Sequence, residues 1–151
     1  MTSSPTDTND LMGPLERLAD FYRQLDDSQL PQLSRIYHPQ IEFIDPVGQH
    51  HGVDALEHYF RQLLKTMNYC RFDVQRTLCN GSEATLLWRM DYSHPSLNKG
   101  QDLSLDGISH LRLADDLIIY QRDYYDLGAM LYEHIPMLGT AVKALKTRLK
   151  S

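Results

Sequence analysis

Asp45, Arg89, Asp91 and Asp123 are the side chains in this 151-residue chain whose types and spacing could do acid–base chemistry. Period-two alternation places Arg89 and Asp91 on one face of a predicted strand over 82–94. It places Asp123 on a face with Leu117, Ile119, Gln121 and Tyr125, and Asp45 on a face with Ile41 and Phe43. Asp45 and Asp123 thus end apolar stripes. A carboxyl there either lines a pocket or marks the solvent rim of a sheet. If Asp45, Asp91 and Asp123 shared a pocket with Arg89, three negative charges would face one positive. At least one carboxyl would then hold its proton near neutrality. Such a set supplies a base to take a proton from water and an acid to give one to a leaving oxygen.

Each residue also has a plainer reading. Asp45 precedes Pro46 in a turn, where Asp side chains bond nearby backbone. Arg89 and Asp91 can form a solvent-side ion pair, which leaves Trp88, Met90 and Tyr92 as the core face; alternation alone favours this reading. Asp123 can pair with Arg122 or Arg112 at a sheet edge. His50-His51 has no third ligand at a metal-binding spacing and reads as loop. His110 lies mid-strand and reads as structural. Asp126 can cap the helix that follows it.

The elements that must position these groups are readable from periodicity. Residues 1–10 form a polar, loose tail. Leu15, Leu18, Tyr22 and Leu25 recur at helical spacing after Pro14. Asp26-Asp27-Ser28 interrupts, and Ser28 can cap a short second helix with Leu33, Ile36 and Tyr37 that ends at His38-Pro39. A short strand follows around Ile41–Asp45. Val53–Met67 is the clearest helix, with Leu56, Tyr59, Phe60, Leu63, Leu64 and Met67 on one stripe. Four strands near 69–80, 82–94, 101–113 and 117–126 are separated by turn signals and should pair antiparallel. The chain returns to helix from Leu127, Pro136 breaks it, and a basic amphipathic stretch carries Leu138, Val142, Leu145 and Leu149 with Lys143, Lys146, Arg148 and Lys150. That stretch reads as a solvated face, with a membrane-surface or partner role as the lesser alternative. Helices first and antiparallel strands later indicate an α+β domain.

Composition is ordinary for a globular domain, with 42% hydrophobic and 23% charged residues. A formal net charge of -5 argues against a nucleic-acid binder, which would show a basic footprint. No apolar run approaches the ~20 residues of a membrane span. Cys70 and Cys79 lie nine positions apart on one predicted strand. The odd offset places them on opposite faces and out of disulfide reach, as free thiols of a reducing, cytoplasmic setting. The sequence calls for no cofactor and no metal.

The order helix, helix, strand ending Asp45-Pro46-Val47-Gly48, helix and four long strands resembles the nuclear transport factor 2-like superfamily, and within it the SnoaL-like and ketosteroid-isomerase-like groups. The resemblance covers residues 14–128. It implies a cone-shaped, curved, mixed but mainly antiparallel sheet packed on N-terminal helices, a cystatin-like α+β roll. It also implies an internal pocket for a small apolar molecule, and a homodimer. The pocket domain would span 11–128, with 129–151 as an amphipathic extension. Phe21, Tyr22, Phe43, Phe60, Ser109 and Tyr125 are the expected pocket residues.

Two enzyme groups sharpen the resemblance. Arg89-Met90-Asp91 and Arg122-Asp123-Tyr124-Tyr125-Asp126-Leu127 resemble motifs of limonene-1,2-epoxide hydrolase. That likeness implies Asp123 as the base that activates water, Asp91 as the acid and Arg89 as the residue orienting both. Phe43 and Asp45 stand where that group has a Tyr and an Asn that help hold the water. Asp45-Pro46-Val47-Gly48 is similar to the base segment of ketosteroid isomerase. There the oxyanion-hole Tyr and Asp positions hold Phe21, next to Tyr22, and Ser109. Without those donors enolate stabilisation loses its largest contribution, so the hydrolase likeness ranks above proton transfer by Asp45; a non-catalytic dimeric binder of a small lipid-like ligand, or a partner scaffold, stands level with the enzyme readings.

Overall fold

A computed structural model describes residues 8–150, with side chains from Gly13 onward. Of the loose tail expected over 1–10, residues 1–7 lie outside the described residues, and Thr8 to Asp10 open helix α1 (Thr8–Arg23). Asp26, not Ser28, caps the next turn: its carboxylate accepts from the Ser28 amide at 2.8 Å, and a 3-10 turn runs over Asp27–Gln32. It leads into α2 (Leu33–Ile36). Tyr37, expected on that helix, instead opens strand β1 (Tyr37–Ile44).

His50-His51 is not a loop. Gln49–His51 forms a three-residue strand, β2, antiparallel to β1 with His50 opposite Phe43. Gly52 then takes φ +85, in the left-handed region that favours glycine, and its N–H reaches the Ile41 carbonyl at 2.8 Å. That turn starts α3 (Val53–Thr66), whose Leu56 and Phe60 are buried.

The long strands are β3 (Tyr69–Asn80), β4 (Glu83–Ser93), β5 (Leu103–Ala114) and β6 (Leu117–Tyr124). The hairpin between β5 and β6 turns on Asp115 and Asp116, both with φ near +60, the conformation of a tight two-residue turn. Strand order is β2-β1-β6-β5-β4-β3, and only β1 and β6 run parallel. The architecture is therefore α+β, with a curved, mainly antiparallel sheet. After β6 come α4 (Leu127–Met130), a short 3-10 turn and α5 (Leu138–Lys150).

The inner face of β4 carries Ala84, Leu86, Trp88, Met90 and Tyr92, all buried. Burial of a side chain the size of Leu86 or Met90 stabilises the fold by roughly 1.5–3 kcal/mol. Trp88 lies across Gly107, its partner on β5, where a Cβ would come within 2.2 Å of the indole.

Two bulges decide which residues share a face. In β3, Val74 faces Trp88 but Arg76 faces Leu87, so Gln75 is an extra residue. The parity beyond it flips. Cys79 lies opposite Ala84 and therefore on the same face as Cys70, which lies opposite Tyr92; the expected opposite placement is wrong for that reason. Both thiols are free, Cys79 exposed and Cys70 buried. In β6, Ile118 pairs with Leu113 and Tyr120 with Arg112, so Ile119 is extra. Ile118, not Leu117 or Ile119, shares the inner face with Gln121 and Asp123.

Candidate active site

Asp45 and Asp123 come together because β1 and β6 are parallel neighbours. Phe43 pairs with Gln121 and Ile44 with Arg122, so the next step along each strand is Asp45 beside Asp123. Both line one apolar cavity with Tyr22, Phe43, Tyr59, Phe60, Tyr125 and Met130. Its volume is about 30 Å³, enough for one or two waters. A wider depression of about 520 Å³ opens outside it, and Asp45, Asp123 and Tyr125 border both spaces. That outer space has the size of a small-molecule pocket.

Asp123 is the better buried carboxyl, 7% exposed. Its Oδ1 accepts from Ser109 Oγ at 2.5 Å and from Gln121 Nε2 at 2.9 Å. Burial pushes its carboxyl up to about 7, and the charge of Asp45 adds to the rise; the two hydrogen bonds oppose it. A group poised there exchanges protons readily at neutral pH.

The partners of Asp123 are themselves fixed. Trp88 Nε1 can only donate, and it donates to Ser109 Oγ at 2.8 Å. The Ser109 proton is thereby directed to Asp123. Tyr37 Oη donates to Gln121 Oε1 at 2.7 Å, and Gln121 Nε2 donates to Tyr22 Oη at 2.7 Å as well as to Asp123. Gln121 thus meets its hydrogen-bonding needs inside an apolar core. Burial raises the Tyr22 and Tyr37 hydroxyls, and both keep their protons.

Asp45 is held differently. Its Oδ1 accepts from the Val47 and Gly48 amides at 2.9 and 3.0 Å, a side-chain turn across Pro46. Its Oδ2 accepts from the Tyr59 hydroxyl. The turn reading and the pocket reading of Asp45 are therefore both present. The Tyr59 ring stacks on His50 at 4.2 Å, and His50 Nε2 is buried with no hydrogen-bond partner among the described residues.

Arg89 and Asp91 do not join this site. Trp88 and Met90 fill the inner face, so the alternate residues Arg89 and Asp91 point outward, both about half exposed. They pair with each other at 3.2 Å, and Ser104 bridges them at 2.7 and 3.0 Å. The expected convergence of three carboxyls with one arginine is not formed. The expected sheet-edge pairing of Asp123 with Arg122 or Arg112 is not formed either; Arg112 meets Glu83 at 3.3 Å. Phe21 is buried against Phe60 behind the cavity wall, with ring centroids 5.6 Å apart. Ser109 acts on Asp123 and not on the wall. His110 is on the outer face near Glu83, at 3.8 Å.

Tyr59, Tyr37, Gln121 and the indole of Trp88 are the site residues that sequence reasoning passed over. Tyr59 read as one more apolar residue on the α3 stripe, and Tyr37 as helical. Gln121 carried a signal, a polar residue at a position between Ile119 and Asp123 that alternation assigns to the inner face. Among the described residues no three His, Cys, Asp or Glu side chains gather as a metal-ligating group, and no helix is long and apolar enough to cross a membrane.

Residues 18–121 match the SnoaL-like domain family. The chain belongs to that family. No functionally curated protein matches it. Among solved structures it is similar to a candidate SnoaL-like polyketide cyclase from Jannaschia sp. CCS1, at 15% identity and a TM-score of 0.75, over 91% of this chain and 99% of that one. It is also similar to a hypothetical protein with a ketosteroid isomerase-like fold from Catenulispora acidiphila in complex with trimethylamine, at 13% identity and a TM-score of 0.71, over 82% and 94% of the two chains. At these identities the likeness establishes the nuclear transport factor 2-like fold of this SnoaL-like domain.

Proposed function

We propose that this SnoaL-like protein catalyses proton transfer, of the isomerisation or cyclisation kind, on a small and largely apolar carbonyl compound. The observation that carries the reading is the pair Asp45 and Asp123 on one apolar cavity, with Asp123 poised near neutrality. In this reading the ionised Asp123 takes a proton from the carbon beside the carbonyl. The Tyr125 hydroxyl, which burial keeps protonated, donates to the oxygen that gains charge. The proton then returns at another carbon, or the enolate attacks a second carbonyl and the alkoxide so formed takes the proton back from Asp123. Asp45, anchored by two amides and Tyr59, holds the negative field that keeps Asp123 basic. The substrate sits in the outer depression with its reacting carbon at the carboxyls. The cyclase named among the structural relatives fits this class of chemistry.

The water-sized inner cavity favours a second reading, hydrolysis of a small apolar epoxide with Asp123 activating water. The acid would then be Tyr125, since Asp91 faces away.

Hydrogen–deuterium exchange beside the carbonyl separates the readings. Small cyclic enones and polyketide-like diketones are incubated with the protein in heavy water and followed by NMR. Proton transfer predicts catalysed exchange that falls about a hundredfold or more in Asp123→Asn, with ligand binding retained. Diol formation from epoxides without exchange supports the hydrolase. Binding without turnover of either class leaves a non-catalytic binder and rejects both enzyme readings.

A further inference from the structure

We propose that α5 is a docking helix for an anionic lipid surface. Its sequence holds Lys143, Lys146, Arg148 and Lys150 and no acidic residue. The whole chain has a formal net charge of -5, so the part outside α5 carries a larger negative charge than the total. Positive charge is thus gathered on one helix of an otherwise acidic protein.

The same helix keeps an apolar stripe out of the core. Leu138, Val142, Leu145 and Leu149 recur every three or four residues and share one face. On α3 a stripe of this kind is buried at Leu56 and Phe60. On α5 Leu145 is 58% exposed and Leu149 88%, and Met137, just before the helix, is 87% exposed. The helix is tied to the body along one side: the Gly139 amide meets the Ile135 carbonyl at 2.6 Å, and Lys146 meets Glu133 at 3.1 Å and Asp126 at 3.5 Å.

A helix with an exposed leucine stripe and cations on its flanks lies naturally in a membrane interface. The leucines enter the acyl boundary, and the lysine stems follow the apolar surface while their heads stay with the phosphates. Charge selects this occupant over a second copy, because a two-fold contact through the stripe would set two cationic helices against each other. Charge also sets the orientation: the acidic body is repelled by the surface that attracts α5, so contact stays peripheral and sensitive to salt.

The test is co-sedimentation of the full chain with large vesicles. Equal parts phosphatidylglycerol and phosphatidylcholine are compared with phosphatidylcholine alone, at low and high salt. The expected result is binding to the anionic vesicles at low salt, weakened about tenfold or more by high salt and by neutral lipid. Two double variants, Leu145→Asp with Leu149→Asp and Lys143→Glu with Lys150→Glu, should each lose it by a similar factor. Unchanged thermal melts show that the fold is kept. No binding to anionic vesicles, or equal binding by the leucine variant, overturns the proposal. A dimer that the leucine variant dissociates, in a chain that ignores vesicles, assigns the stripe to a second copy and also overturns it.

Discussion

Asp91 and Asp123 meet nearly the same partners on opposite faces of one sheet. Each accepts a hydrogen bond from a serine of β5, Ser104 at 3.0 Å for Asp91 and Ser109 at 2.5 Å for Asp123. Each takes a second from a nitrogen, the Arg89 guanidinium or the Gln121 amide. The difference is water. Asp91 is 49% exposed, so solvent stabilises its charge and screens its pairing with Arg89. Asp123 is buried beside Tyr22 and Phe43 on the inner cavity, and its neutral amide partner brings no countercharge. The lesson is that side of the sheet, more than motif, decides how much water a carboxyl keeps.

The sharpest way to break the comparison is to exchange both carboxyls for amides. Asp123→Asn should cut turnover about a hundredfold or more, and Asp91→Asn should leave it within about twofold. Initial rates on the same substrate decide it; equal losses would sink the distinction. If Asp123 is the base, the wild-type rate should climb with pH and level off above about 7, following its ionisation.

Packing that excludes water from the inner face is the next target. Gly107→Ala would drive a Cβ into the Trp88 indole and should destabilise the protein by about 1–3 kcal/mol in denaturant melts. It should also disturb the Trp88 bond to Ser109. A neutral result would mean that the indole is free to move.

Stability against pH reads the same burial without any substrate. The Asp123 carboxyl rises from 3.8 to about 7 on folding, so the folded state binds the extra proton. Its contribution to stability is full below 3.8, declines as pH rises, and is lost above about 7. Through that window the slope is at most about 1.4 kcal/mol per pH unit. Asp123→Asn, which keeps an oxygen for Ser109 and Gln121, should remove that part of the slope. An identical pH dependence in the variant would show that Asp123 is not buried in solution.

The smallest effect belongs to the outer pair. Arg89→Ala should cost under about 1 kcal/mol, as exposed ion pairs do. A larger loss in a thermal melt would mean that the outer face is covered in solution.

Much of this was legible in the sequence. The four long strands were bounded by Asn80-Gly81, Pro95 to Gly100 and Asp115-Asp116, and α3 by its apolar stripe. Three-residue β2 was too short to show a period. Asp45 and Asp123 were visible because each ended an apolar stripe. Alternation alone also favoured Trp88 as the core face; the motif likeness pointed the other way at Arg89 and Asp91. The supporting network was not legible, because its bonds join Tyr37 to Gln121 and Gln121 to Tyr22 across 84 and 99 positions. No local pattern records such contacts.

The extra residue in β6 is a parity switch for the whole site. With Ile119 present, Ile118 packs inward at one end of the strand while Gln121 and Asp123 face inward at the other. Iron out the bulge while keeping its residue, and plain alternation takes over: with Ile118 still packed, Arg122 turns inward and Asp123 turns out to water. The interior carboxyl is thus specified as much by the bulge that precedes it on the strand as by its own identity.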